Sequence, residues 1–89
     1  MEQSIIKKLE EKLVEFIGKE VTITQEGFLN NSYSMHKLKY AIEYEILNIT
    51  DEESNNYLKI NLNQAYKIEI NEKEIKIHLD NDTIICLSI

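Results

Sequence analysis

The apolar residues predict an α+β domain: one N-terminal helix packed on a strongly bent antiparallel sheet, or small barrel, of five to six strands. Three observations carry this reading. Helical spacing is confined to the first eighteen residues, strict alternation begins at Val21, and within the long apolar stretch from Leu38 the parity of that alternation flips at Leu47. A chain of 89 residues is the size of one domain, residues 1–89.

Between Ser4 and Gly18 the residues Ile5, Ile6, Leu9, Leu13, Val14, Phe16 and Ile17 fall mostly on one helical face, and Lys7, Lys8, Glu10, Glu11, Lys12 and Glu15 on the other. Ser4 is the expected N-cap and Gly18 the left-handed residue that ends the helix. Val21 and Ile23 then alternate with Glu20, Thr22 and Thr24 as a short strand. Gly27, Asn30, Asn31 and Ser32 mark Glu26 to Ser34 as a loop.

A long strand is expected next, with Leu38, Tyr40, Ile42, Tyr44 and Ile46 on one face and Lys37, Lys39, Glu43 and Glu45 on the other. Leu47 and Ile49 are out of phase with that set, so the strand must bulge or bend there to keep both groups inside. Asp51 to Asn56 reads as a polar turn. Beyond it come Leu58, Ile60 and Leu62, a break at Asn63-Gln64-Ala65, and two hairpins. A turn at Glu72-Lys73 sets Ile70 opposite Ile75, Ile68 opposite Ile77 and Tyr66 opposite Leu79. A three-residue loop at Asp80-Asn81-Asp82 sets Ile77 opposite Ile85 and Ile75 opposite Leu87. The core is expected at Leu9, Leu13, Ile23, Ile42, Ile60, Ile68, Ile77 and Leu87. Ile84 and Cys86 fall on the reverse face, so an edge strand or that face is expected to mediate self-association.

Lys and Arg number 10 against 16 Asp and Glu, a net charge of −6, which argues against nonspecific attraction to phosphate backbones. The single Cys86 needs no oxidising compartment, and no apolar run reads as a signal peptide or membrane span, so a cytoplasmic protein is expected. No enzyme class is supported. His36 and His78 have no motif around them and read as surface histidines, while Cys86 reads as a small semi-buried hydrophobe. Asp80-Asn81-Asp82 opens like a calcium loop, but Ile85 stands where that loop needs Gly; zinc spacings and a phosphate-cradling Gly-rich loop are absent. No metal or cofactor is expected.

Two stretches resemble Sm-like proteins. Leu13-Val14-Glu15-Phe16-Ile17-Gly18-Lys19-Glu20-Val21-Thr22-Ile23 is similar to that family's helix end and first strand. Tyr44 through Asp51, followed by Asn55, Asn56, Leu58 and Leu62, is similar to its second strand, Asp-x-x-x-Asn turn and third strand. The resemblance implies a small SH3-like or Sm-like barrel, with Asp51 and Asn55 at the positions that organise the loop lining the family's RNA pore. The family's Arg-Gly or Lys-His element has no counterpart here, where the chain reads Asn81-Asp82-Thr83.

Two functional expectations follow. The first is a non-enzymatic acidic module that inhibits or antagonises a protein with a basic surface, using Glu43, Glu45, Asp51, Glu52 and Glu53. The second is an Sm-like homo-oligomeric scaffold holding a short nucleic acid or nucleotide-type ligand on Tyr33, His36, Lys37, Lys39 and Tyr40, by stacking and charge.

Overall fold

A computed structural model of the chain describes residues 2–27 and 30–89. Helix α1 (Gln3–Phe16) buries Ile6, Leu9, Leu13 and Phe16, successive members of one helical stripe. Glu2 occupies the N-cap without a side-chain bond, so Ser4 lies in the first turn and does not cap the helix. Gly18 ends it as expected, at φ 77°. The Lys19 amide donates to the Phe16 carbonyl at 3.1 Å, and an added Cβ at Gly18 would meet only open space. The glycine therefore answers a demand of backbone conformation alone.

Eight strands follow among the described residues, against the five to six expected: β1 (Val21–Glu26), β2 (Asn31–Met35), β3 (Leu38–Glu43), β4 (Ile46–Asp51), β5 (Tyr57–Asn61), β6 (Ala65–Ile70), β7 (Glu74–Leu79) and β8 (Ile84–Ser88). They form a five-stranded antiparallel sheet, β2-β1-β8-β7-β6, and a three-stranded one, β3-β4-β5. The chain passes between the sheets at the bend His36-Lys37 and at a 3₁₀ turn, Leu62–Gln64. No strand pairing joins the two sheets among the described residues, so no hydrogen-bonded barrel closes. Helix α1 packs across β3 and β6, one edge strand of each sheet.

Two of the additional strands have identifiable origins. The single long strand expected from Leu38 is a hairpin, with Ile42 opposite Leu47 and Glu43 opposite Ile46. A two-residue turn pairs residues whose numbers sum to an odd value, so the parity of the buried set must flip across it; the flip at Leu47 records a reversal of the chain, not a bulge. The loop expected over Glu26 to Ser34 is strand from Asn31 onward, where β2 begins, while residues 28 and 29 of it lie outside the described residues.

The C-terminal registers follow the alternation. Ile70 pairs with Ile75, Ile68 with Ile77, Ile77 with Ile85 and Ile75 with Leu87. The third pair of the first hairpin differs: the register shifts between Ala65 and Lys67, Ala65 takes Leu79, and Tyr66 turns out to 68% exposure. Both expected turns form. The Asn71 amide donates to the Glu74 carbonyl at 2.8 Å, and the Leu79 amide to Thr83 at 2.8 Å around Asp80-Asn81-Asp82. Leu9, Leu13, Ile23, Ile60, Ile77 and Leu87 are buried, joined by Phe16, Met35, Leu38, Leu47 and Leu62; Ile42 and Ile68 pack at the margin of this core.

Candidate functional site

The turn after β4 is built by Asp51, which is buried at 4% exposure. Its Oδ1 accepts from the Glu53 amide at 3.0 Å and the Lys37 amide at 3.1 Å; its Oδ2 accepts from the His36 amide at 3.1 Å and the Ser54 hydroxyl at 3.0 Å. The Glu53 amide, with those of His36 and Lys37 and the Ser54 hydroxyl, outweighs burial and lowers the carboxyl from 3.8 to about 2. This corrects the expectation that Asp51 is an exposed interface acid: its lone pairs are already occupied by the protein's own donors. The Glu52 amide donates to the Lys37 carbonyl at 3.0 Å, and Lys39 Nζ lies 3.9 Å from Glu52 Oε1. The acidic turn and the basic stretch, expected as rival sites, are therefore one bonded unit.

That unit does not present the expected stacking rings. Tyr33 and Tyr40 pack against the hydrophobic core. Burial raises both phenols, and the charge of Glu10 raises Tyr40 further. His36, Lys37 and Lys39 remain exposed. The aromatic residue on the outer side of the three-stranded sheet is Tyr57, 67% exposed. It lies opposite Thr50, which lies opposite Lys39, and Lys59 stands one outward position along β5. A groove of about 400 Å³ runs beside this row, lined by Asn48, Thr50, Ser54, Asn55, Asn56, Tyr57 and Lys59 among others.

Glu43 and Glu45 sit at the other end of the β3–β4 hairpin, roughly 17 Å from Asp51 along β4. The five acids expected as one patch thus split into two groups. Between Glu43 and Ile46, Tyr44 at φ 52° and Glu45 at φ 61° form a two-residue turn with both residues left-handed. Gly, Asn and Asp adopt that conformation readily; Tyr does not. Tyr44 is also 96% exposed. The sequence does not mark this turn, because Tyr-Glu carries no turn chemistry, although the parity flip was the available signal.

The outer side of the five-stranded sheet carries Cys86, whose thiol burial and the neighbouring Glu74 push up to about 11. At neutral pH it is protonated and a poor nucleophile. His78, expected at the surface, has only 14% of its side chain exposed; it packs near the Tyr66 ring with Nε2 3.6 Å from Glu69 Oε2. Glu69 is held below the usual carboxylate range chiefly by Lys67, 2.9 Å away. Among the described residues no three His, Cys, Asp or Glu converge to hold a metal ion, and no helix is long and apolar enough to cross a membrane. No family model, curated protein or solved structure matches the chain.

Proposed function

We propose that the chain is a non-enzymatic binding module that inhibits or antagonises a protein with a basic surface, and that the Glu43-Tyr44-Glu45 hairpin tip is its contact element. One observation carries this reading: a fully exposed tyrosine in a left-handed turn conformation. Such a residue costs about 1–2 kcal/mol relative to Gly. A side chain surrounded by solvent gains no packing within its own fold to offset that cost, so the compensation is sought in a partner. Tyrosine is among the residues that anchor protein interfaces, offering a large rigid ring with a polar tip. Glu43 beside it and the net charge of −6 complement a basic rim and steer encounter. Capture of a host protein on the immobilised chain tests this: the captured protein is expected to be basic, and its association to slow as salt screens charge.

A second reading, an Sm-like oligomeric scaffold for a short nucleic acid or nucleotide-type ligand, is favoured by Lys39, Tyr57 and Lys59 on one face beside the groove. There Tyr57 stacks a base and the lysines meet phosphate. Titration with a short single-stranded oligonucleotide separates the readings, since only the second expects saturable binding lost in Tyr57→Ala.

A further inference from the structure

We propose that β2 is a self-complementary edge through which two copies of this chain pair antiparallel about Tyr33, joining their five-stranded sheets into one. Strand β2 ends its sheet and bonds only to β1 among the described residues. In an antiparallel pair every second residue turns its N–H and C=O away from the neighbour, so β2 offers an unpaired ladder. The other three edge strands each carry charge that discourages pairing: Lys39 and Glu43 on β3, Lys59 on β5, Lys67 and Glu69 on β6. β2, reading Asn31-Ser32-Tyr33-Ser34-Met35, has no charge, no Pro and no Gly.

The occupant is a second copy because the strand is symmetric about its centre. Antiparallel pairing at Tyr33 sets Ser32 of each copy opposite Ser34 of the other, and Tyr33 opposite Tyr33. On the outer side, Ser32 and Ser34 already lie beside Thr24 and Thr22 of β1, so the hydroxyl rows run on across the junction, a favourable cross-strand pairing. On the inner side Tyr33 is half-buried against the core, and the second copy completes its burial. Two chains of net charge −6 repel at most approaches, and this edge brings no like charges of its own together. Five residues make a small interface, so the dimer is weak and forms with a Kd on the order of tens of micromolar.

Sedimentation equilibrium of the full chain between about 10 µM and about 1 mM is expected to show a monomer–dimer equilibrium. Ser32→Lys with Ser34→Lys sets lysines against lysines across the junction and is expected to weaken the dimer at least tenfold, with the thermal midpoint of the dilute protein unchanged. Ser32→Lys with Ser34→Glu sets each cation against an anion of the other copy in this register and restores it. A wild type that stays monomeric, a dimer indifferent to the double-lysine change, or a lysine–glutamate variant as weak as the double-lysine one each overturns the proposal. Should the double-lysine variant not fold, hydrogen exchange of the wild type decides: the outward amides of β2 gain protection with concentration, or the pairing is wrong.

Discussion

Asp51 shows how one side chain changes role between sequence and structure. In the sequence it belongs to an acidic turn; in the fold its carboxylate accepts four hydrogen bonds, two that close the turn after β4 and two that tie it to the bend between β2 and β3. Asp51→Ser is therefore expected to lower the thermal midpoint by on the order of 10 °C, whereas Glu52→Ser or Glu53→Ser, both exposed, should change it by about 2 °C or less. The folded carboxyl titrates at about 2 against an ordinary value of 3.8, so the folded state binds fewer protons between those values. Its stabilisation is full above about pH 4 and is lost as pH falls toward about 2. Acid unfolding of Asp51→Asn should lack that component. Cys86, raised to about 11, is expected to react with iodoacetamide far more slowly than a free thiol at pH 8 and to accelerate only in strongly alkaline solution, which a pH series of alkylation rates checks. Gly18→Ala should cost about 1 kcal/mol of folding stability in denaturant titration, all of it from φ 77°.

Elements were legible where alternation and turn chemistry agreed. The helix followed from its apolar stripe, and the β6–β7–β8 meander from paired isoleucines flanking Glu72-Lys73 and Asp80-Asn81-Asp82, with register errors only at the Ala65–Lys67 shift. Strand β2 escaped because an edge strand of Asn, Ser, Tyr, Ser and Met resembles a loop in composition; only neighbouring β1 reveals it. The β3–β4 hairpin escaped because nothing in Tyr44-Glu45 favours left-handed backbone. That mismatch has a measurable consequence. Tyr44→Asn with Glu45→Gly places residues suited to the turn and is expected to stabilise the protein by about 1–2 kcal/mol in denaturant titration. A neutral or destabilising result would mean the wild-type tip is not strained.

At the scale of the molecule, composition gives the net charge but not where the charged side chains stand on the surface. The acidic balance was plain in the sequence, yet the acids do not form one patch: Asp51 is buried, Glu52 lies toward Lys39, and Glu43 stands at the far end of the hairpin. Tyr33 and Tyr40, expected in the ligand patch, pack against the core because the odd position on β2 and the even position on β3 fall on the inner faces of those strands. Exposure at Tyr44 and Tyr57 followed from a hairpin and a sheet face that only folding creates. The contact surface proposed above is Tyr44 with its flanking acids. The most direct test is the dissociation constant of Tyr44→Asn/Glu45→Gly, relative to wild type, for the protein captured on the wild-type chain, with thermal midpoints measured in parallel. A higher midpoint and binding weakened by about thirtyfold or more are expected; unchanged binding in a stabilised variant would show that the partner does not meet this tip.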